Sequence, residues 1–279
     1  MATTTSLNIA FIGGGNMASA LIAGLLAKGQ PTSLLHVVET DAEKLANFQA
    51  QGLNTYDASN IDDTKHAIEK ADVVVLAVKP QVMKDVLLPV KDSWGEQVVI
   101  SIAAGIGTDS LAEWLGPQVK LVRAMPNTPA MIQMGATGLY ATAGVNEAER
   151  QLAQQVMSAA GLVLWVDDEE LLHAVTAISG SAPAYFFYML ENMIATGEKL
   201  GLTQTQATAL AMQTALGSAQ MALTSHDTPA ELRRKVTSPN GTTQAAIEVM
   251  DAKKMHQIIA DAMLACEQRS RELSLAFGK

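Results

Sequence analysis

Two short stretches of the sequence combine residue types that bind anionic groups. Gly13, Gly15 and Ala18 match the pattern G-x-G-x-x-G/A within FIGGGNMA, between an apolar run and an amphipathic one. Far downstream, SPNGTT from Ser238 to Thr243 joins turn residues to hydroxyl side chains, directly ahead of a helix-like segment. Because free N–H groups at a helix start attract phosphate or carboxylate, both stretches are candidate anion sites, and neither contains histidine or cysteine.

The first stretch is typical of a site for the pyrophosphate of a dinucleotide. Gly13 permits a tight turn, Gly15 lets the backbone approach the pyrophosphate, and Ala18 keeps the helix close to the strand. The pattern alone also occurs as a structural glycine turn. Its place between the first predicted strand and the first predicted helix favours dinucleotide binding.

The end of the second predicted strand bears on the choice of dinucleotide. Glu39 closes the run LLHVVE, where an acidic residue binds the ribose hydroxyls of adenosine. A carboxylate there repels a 2′-phosphate, and no arginine follows in Thr40-Asp41-Ala42, which favours NAD over NADP. Thr40 is the alternative, because its hydroxyl can bond a phosphate if Glu39 turns away. The sequence leaves this choice open.

Three later strand ends complete the predicted ligand edge of the sheet. ADVVVLAV ends in Lys79-Pro80, where Lys79 is either a solvated charge or a neighbour of the cofactor. VVISIAAG ends in Ala103, Ala104 and Gly105, which are small enough for a ring or ribose to pass. In RAMPNTPA two prolines stiffen the loop 125–129, which we expect to present a fixed surface to a nicotinamide.

The second anion stretch has the chemistry of a turn followed by a helix. Pro239 presets φ, and Asn240-Gly241 tolerates positive φ. Thr242 or Thr243 can then cap a helix that begins at Gln244. An ordinary cap that satisfies its own hydrogen bonds is the alternative.

A similar helix start is predicted at ISGSAP, where Ser179, Gly180 and Ser181 precede Pro183. Two hydroxyl-rich helix starts in one helical domain indicate a cleft for a small carboxylate.

Apolar periodicity divides the chain into two halves. Seven short runs rich in Val and Ile alternate with helix-like segments up to Val166, which predicts a parallel, doubly wound sheet in residues 1–166. Residues 167–279 contain Ala-, Leu- and Met-rich stretches and are predicted to be helical. Two of their faces look too apolar for one small domain to cover: Tyr185, Met189, Met193 and Thr196, and Leu210, Thr214, Gly217 and Met221. We expect a subunit interface there, with intradomain core as the alternative.

Composition excludes several classes of protein. A net charge of −9 with scattered Lys and Arg argues against a nucleic-acid binder. One cysteine, Cys266, excludes an internal disulfide and fits a reducing compartment. Five histidines without ligand-like spacing argue against a metal site. Since no apolar segment reaches the roughly 20 residues of a membrane span, we expect a cytoplasmic protein.

Taken together, six segments resemble a known family. IGGGNMASAL, AVKP, SIAAG, RAMPNTPA, AVTAISGSAPAYFF and RRKVTSPNGTTQAAI are similar, in this order, to signature segments of Δ1-pyrroline-5-carboxylate reductases, over almost the whole chain. The resemblance implies reduction of the cyclic imine (S)-1-pyrroline-5-carboxylate to L-proline by NADPH or NADH, the last step of proline biosynthesis. It also implies an N-terminal Rossmann domain and an all-α C-terminal dimerisation domain, with homodimers that often assemble into a decamer.

The resemblance also implies site residues. The cofactor would be bound by Ile12, Gly13, Gly14, Gly15, Asn16, Met17, Glu39, Thr40, Asn60, Ala77, Val78, Lys79, Pro80, Ala103 and Ala104. The substrate would be bound by Glu169, Ser238, Asn240, Gly241, Thr242 and Thr243. Of these, Ser238 and Thr243 are the expected catalytic residues, with the Thr243 hydroxyl directed at the ring nitrogen. The family commonly has Gly where Ala182 and Asn240 stand, and many members prefer NADPH, which Glu39 disfavours.

Two other readings fit the first half of the chain. A β-hydroxyacid dehydrogenase would carry a catalytic lysine in the place of ISGSAPAYFF, yet the next lysine after it is Lys199. A nicotinamide-sensing module without catalysis would have no need for the hydroxylated turn from Ser238 to Thr243.

Overall fold

The computed structural model describes residues 6–277, which form one eight-stranded sheet and twelve α-helices. The strands are β1 (Ile9–Ile12), β2 (Leu35–Glu39), β3 (Asn54–Asp57), β4 (Val73–Leu76), β5 (Val98–Ser101), β6 (Lys120–Met125), β7 (Gly135–Ala141) and β8 (Gly161–Trp165). The helices are α1 (Asn16–Ala27), α2 (Ala42–Ala50), α3 (Ile61–Glu69), α4 (Pro80–Leu87), α5 (Thr108–Leu115), α6 (Glu147–Met157), α7 (Leu171–Val175), α8 (Ala182–Lys199), α9 (Gln204–Thr224), α10 (Pro229–Lys235), α11 (Thr242–Ala252) and α12 (Met255–Phe277).

The strand order is β3-β2-β1-β4-β5-β6-β7-β8, and every neighbouring pair is parallel except β6 with β7. The predicted doubly wound Rossmann sheet is therefore confirmed. The order reverses direction between β1 and β4, which creates the crevice where such sheets bind ligands. β7 departs from the prediction of an all-parallel sheet because residues 126–134 are too short for a crossover connection, so the chain turns back on itself.

The predicted strands lie where the apolar runs are, and one further strand was missed. β1, β4 and β5 are buried along their whole length, and their two faces pack into two separate clusters of apolar side chains. Helices α1 and α6 cover one face, and α3, α4 and α5 cover the other. β3 has the sequence NTYD and is half-exposed at the sheet edge, so no apolar run marks it. The continuous apolar pattern thus identifies central strands and overlooks an edge strand.

The described chain falls into two compact units. The first unit contains the chain up to Ser181 and again from Cys266 onward. The second unit is Ala182–Ala265. The second half of α12 therefore belongs to the first unit, where the Arg271 guanidinium is paired with the Glu170 carboxylate and Ser270 Oγ lies 2.8 Å from His173 Nδ1. The domain boundary between residues 166 and 167 stays a prediction, since it concerns where the sequence pattern changes rather than these compact units.

The second unit, taken by itself, has little core. Its buried apolar residues within the described chain are the small ones Ala182, Ala207 and Ala211. The side chains that form the predicted interface faces include Met189, Met193, Leu210 and Met221, and all four are exposed. Intradomain core is therefore excluded for these four side chains, and their faces need a partner surface.

None of the helices within residues 6–277 has the length and apolarity that a membrane crossing requires.

A buried histidine makes the stability of the sheet depend on pH. His36 in β2 is buried, its Nδ1 lies 3.1 Å from Tyr56 Oη, and within residues 6–277 its Nε2 has no hydrogen-bond partner. Burial, assisted by the charges of Lys70 and His66, lowers the pKa of His36 from its ordinary value of 6.5. Below that value the unfolded chain binds a proton that the folded chain does not bind. The free energy of unfolding therefore decreases as the pH is lowered.

We predict that replacing His36 by Phe reduces this acid sensitivity. Between about pH 7.5 and pH 5.5 the free energy of unfolding should fall less in His36→Phe than in the parent protein. Urea titrations at the two pH values measure the difference. An equal fall in both proteins would show that other groups, such as the buried His173, cause the whole effect.

Candidate functional site

The turn after β1 requires glycine at its first position. Gly13 has φ +102°, and its N–H donates to the Val38 carbonyl at 2.8 Å. A Cβ on Gly13 would lie 2.9 Å from the backbone of Ala77, which follows β4. The Ala77 N–H in turn donates to the Ile12 carbonyl at 2.8 Å. The glycine therefore allows β1 and β4 to approach at the crevice of the sheet.

The start of α1 is open to a ligand. Gly15 is the N-cap residue, no side chain caps the helix, and a Cβ on Gly15 would meet nothing within 4 Å. The first turn, which begins with Asn16 and Met17, contains no acidic residue. Ala18 is fully buried and holds the helix against the sheet. These unpaired N–H groups beside open space fit the pyrophosphate of a dinucleotide.

Glu39 at the end of β2 is turned toward the glycine turn. The Gly14 N–H donates to Glu39 Oε2 at 2.9 Å, and the N–H groups of Thr40 and Asp41 donate to Oε1 at 2.8 and 3.2 Å. Lys44 Nζ lies 3.4 Å from Oε2. Burial raises the pKa of the Glu39 carboxyl, but these N–H donors, helped by the Lys44 charge, outweigh burial and hold the pKa below its ordinary value.

Two other residues predicted to contact adenosine have local partners. The Thr40 hydroxyl donates to Glu39 Oε1 at 3.2 Å. Asn60 caps α3, since its Oδ1 accepts from the Asp62 N–H at 3.1 Å and its Nδ2 donates to Asp63 Oδ1 at 3.1 Å. Their contact with adenosine stays a prediction.

The remaining predicted cofactor residues follow β4 and β5 at the same edge of the sheet. Ala77 and Val78 follow β4, Lys79 is the N-cap residue of α4, and Pro80 occupies its first position. Ala103, which precedes Ala104, is buried. Because parallel strands present their carboxyl ends together, these residues share one edge with the glycine turn.

An ion pair between the buried Arg123 and the partly buried Glu169 was not predicted from the sequence. Arg123 Nη1 in β6 donates to Glu169 Oε1 at 2.6 Å, and the Thr108 N–H donates to the same oxygen at 2.8 Å. The Thr108 hydroxyl donates to Glu169 Oε2 at 2.5 Å. An arginine inside the buried run VKLVRAM was the signal that a carboxylate must lie nearby. Contact between Glu169 and the substrate stays a prediction. In the structure its carboxylate accepts hydrogen bonds from Arg123 and Thr108.

The loop after β6 is tied to the segment ISGS. Asn127 Nδ2 donates to the Ser179 carbonyl at 3.1 Å, and Asn127 Oδ1 accepts from the Ala136 N–H at 2.9 Å. The Ser179 carbonyl needs this donor because Pro183, four residues later, has no N–H. A Cβ on Gly180 would lie 2.5 Å from Met125 Cε.

The predicted helix after ISGS exists, but ISGS itself is largely helical rather than an open turn. Residues Thr176–Gly180 form a π-helical turn that continues α7, and α8 follows directly after Ser181. Pro183 does lie in the first turn of α8, as its position predicts, but the segment before it is already helical.

The turn Ser238 to Gly241 has the predicted shape but a different cap. Asn240 has φ +58°, and the Gly241 N–H donates to the Ser238 carbonyl at 3.0 Å. Helix α11 begins at Thr242 with Gly241 as N-cap and no side-chain cap, so the predicted start at Gln244 under a threonine cap is wrong. Gly241 itself makes the turn into the helix, which places Thr242 and Thr243 within the first turn. Gly241 supplies no side-chain cap to that turn, although just before it the Asn240 N–H donates to Gln244 Oε1 at 2.7 Å.

No group of three His, Cys, Asp or Glu side chains in the described part of the chain is arranged to hold a metal ion.

Comparison with known proteins identifies relatives for both halves. A family model described as pyrroline-5-carboxylate reductase dimerisation matches residues 169–273, and one described as NADP oxidoreductase coenzyme F420-dependent matches residues 8–105. A pyrroline-5-carboxylate reductase of Pseudomonas aeruginosa is 48% identical over 97% of this chain and 98% of its own.

Solved structures of pyrroline-5-carboxylate reductases are similar to this chain over nearly its whole length. A pyrroline-5-carboxylate reductase from Coxiella burnetii superposes with a TM-score of 0.91 at 41% identity, over 97% of this chain and 99% of its own. A Plasmodium falciparum pyrroline carboxylate reductase with NADP bound gives a TM-score of 0.85 at 25% identity, over 96% and 98% of the two chains.

We predict that Glu169 stabilises the first unit through its ion pair. Glu169→Ala leaves the buried Arg123 without its partner and should lower the free energy of unfolding by about 3–5 kcal/mol. Glu96→Ala is the matched control, because Glu96 pairs with Lys120 while its own side chain is 93% exposed. That exposed pair should contribute about 0–1 kcal/mol. Chemical denaturation of the two variants measures both values, and equal losses would contradict the interpretation.

Proposed function

The chain belongs to the pyrroline-5-carboxylate reductase family, and from that premise we propose that it reduces (S)-1-pyrroline-5-carboxylate to L-proline with NADPH or NADH. The observation that carries the proposal is the match to a reductase of that name over nearly the whole chain, including both anion stretches. The open helix starts after Gly15 and Gly241 support it, since a dinucleotide and a cyclic carboxylate are both anionic.

The first unit supplies the proposed cofactor site. In the turn Ile12 to Met17, the N–H groups at the start of α1 are the donors offered to the pyrophosphate, and Gly15 leaves the space for it. Glu39, Thr40 and Asn60 take the adenosine end. The nicotinamide end runs along the residues that follow β4 and β5: Ala77, Val78, Lys79, Pro80, Ala103 and Ala104. When bound, the reduced nicotinamide supplies the hydride that the imine carbon accepts.

The turn before α11 supplies the proposed substrate site. The Thr242 N–H and the N–H groups that follow it in the uncapped first turn hold the carboxylate beside Gly241, and the helix adds its positive dipole end. The positive φ of Asn240 shapes the turn, and the hydroxyls of Ser238 and Thr243 lie at its two ends. A protonated imine is electrophilic at carbon, so the protein needs to orient the ring rather than to provide a strong acid. Because a hydroxyl is a poor acid at neutral pH, Thr243 positions the ring nitrogen.

We propose that the chain works as a homodimer joined through its helical part, with dimers assembled into a decamer, in the cytoplasm. The dimerisation model over residues 169–273 supports the dimer. So do the exposed apolar side chains of α8 and α9, among them Phe186, Phe187, Leu210 and Leu223.

We predict that the purified protein oxidises NADH or NADPH only when pyrroline-5-carboxylate is added. The reason is that the hydride has no acceptor at the site until the imine is bound. The absorbance of the reduced nicotinamide follows the reaction, and chromatography identifies proline as the product. A loss of absorbance with the keto acid of a β-hydroxyacid, a gain when the β-hydroxyacid is mixed with the oxidised cofactor, or no loss with the imine and either reduced cofactor would refute the proposal.

We predict that Thr243→Ala lowers kcat/KM for the imine by about tenfold, the value of one lost hydrogen bond to the ring nitrogen. The affinity for the reduced cofactor should not change, since the glycine turn is untouched. Thr224→Ala is the matched control, because this exposed hydroxyl only donates within its own helix, to the Gln220 carbonyl at 2.9 Å. Steady-state kinetics measure kcat/KM for the imine, and titrations measure the affinity for the reduced cofactor. Equal damage to substrate and cofactor binding would mean that Thr243 has a structural role.

A further inference from the structure

The Glu39 carboxylate is a fixed charge and not a mobile surface group. Its side chain is 13% exposed, and three backbone N–H groups donate to it from the glycine turn and from the turn that follows β2. The same donors keep its pKa low, so it is ionised at neutral pH. The alternative in which Glu39 turns away and leaves Thr40 to bind a phosphate is therefore not the arrangement of this chain.

Gly14 is what allows Glu39 to close over the turn. The Gly14 N–H holds Glu39 Oε2 at 2.9 Å. A Cβ on Gly14 would lie 2.8 Å from Phe48 Cε2 and 3.3 Å from that same carboxylate oxygen. Because Phe48, a residue of α2, is buried, this ring has little room to move. The middle residue of G-x-G, which the general pattern leaves free, is thus constrained here to glycine.

The surroundings of Glu39 are acidic. Between residues 36 and 66 the sequence has six carboxylates, two lysines and no arginine. Asp57 stands opposite Glu39 in the register of β2 and β3. The first arginine of the chain is Arg123, and it pairs with Glu169. Within residues 6–277, Lys44 is the cation within 4 Å of Glu39, and it is already paired with that carboxylate.

We propose that Glu39, held in place by the Gly14 N–H, makes this chain select NADH over NADPH. The inference rests on the proposed function, because it assigns the adenosine ribose to the end of β2. A carboxylate there accepts hydrogen bonds from the two ribose hydroxyls of NADH. A 2′-phosphate in the same place meets a fixed negative charge with no arginine to offset it.

Binding measurements test the inference without turnover. Calorimetry should show that the parent protein binds NAD+ at least about tenfold more tightly than NADP+, because the 2′-phosphate is repelled at short range. The fragments 5′-AMP and 2′,5′-ADP should differ in the same direction. Raising the salt concentration should narrow the difference, since screening weakens the repulsion. Equal or tighter binding of NADP+ and 2′,5′-ADP would overturn the inference.

Two substitutions of Glu39 test whether its charge causes the preference for NADH. Glu39→Gln keeps the shape of the side chain and removes its charge, and Glu39→Ser also removes its bulk. Both should move the affinity ratio toward NADP+ by about tenfold or more. The matched control is Glu43→Gln, which removes an exposed charge from the first turn of α2 and should leave the ratio within about twofold. An unchanged ratio in a folded Glu39 variant, or an equal shift in the control, would overturn the assignment to Glu39.

The two proposals fail in different ways. A protein that binds NADH tightly but does not reduce pyrroline-5-carboxylate would contradict the reductase function and leave the cofactor preference standing. A protein that reduces the imine faster with NADPH at subsaturating cofactor would contradict the preference and leave the function standing.

Discussion

The close approach of two backbones at Gly13 is the constraint on which the first unit depends. The turn after β1 lies so near to Ala77 that no side chain fits between them, and the Ala77 N–H completes the contact by donating to Ile12. This contact places the start of α1 at the crevice between β1 and β4, where the strand order reverses. The open helix start, the Glu39 carboxylate and the small residues after β5 all have their positions because this turn is tight.

The same physical principle appears at the two proposed anion sites. A helix start that no side chain caps keeps its N–H donors available, and glycine is the residue at both caps, Gly15 and Gly241. Other helices of the chain are capped by side chains, as Asp41, Asn146 and Thr203 show. Capping by a side chain contributes to helix stability, whereas an uncapped start retains its donors for an anion. Gly107 likewise leaves α5 without a cap from its own side chain, and there the Thr108 N–H donates to the Glu169 carboxylate, so an uncapped helix start in this chain does bind an anionic group.

The sequence predicted the parts of the fold and of the site in which burial or backbone conformation restricts the residue type. Apolar runs located the buried strands, and the glycine pattern located the turn after β1, because burial and positive φ restrict residue type strongly. β3 was missed since an edge strand does not need apolar residues, and the direction of β7 depended on the length of a loop. The partners of Arg123 and Asn127 come from distant segments, and no local pattern encodes them. The rotamer of Glu39, on which the proposed cofactor preference rests, likewise depends on the position of Gly14.

The scarcity of buried side chains in the residues Ala182–Ala265 has a consequence for how the protein folds. A unit whose large apolar groups remain exposed gains little free energy from collapsing alone. Association then supplies part of the driving force, and folding and assembly become one coupled equilibrium. For such a chain the melting temperature rises with protein concentration by mass action, so dilution itself acts as a denaturant.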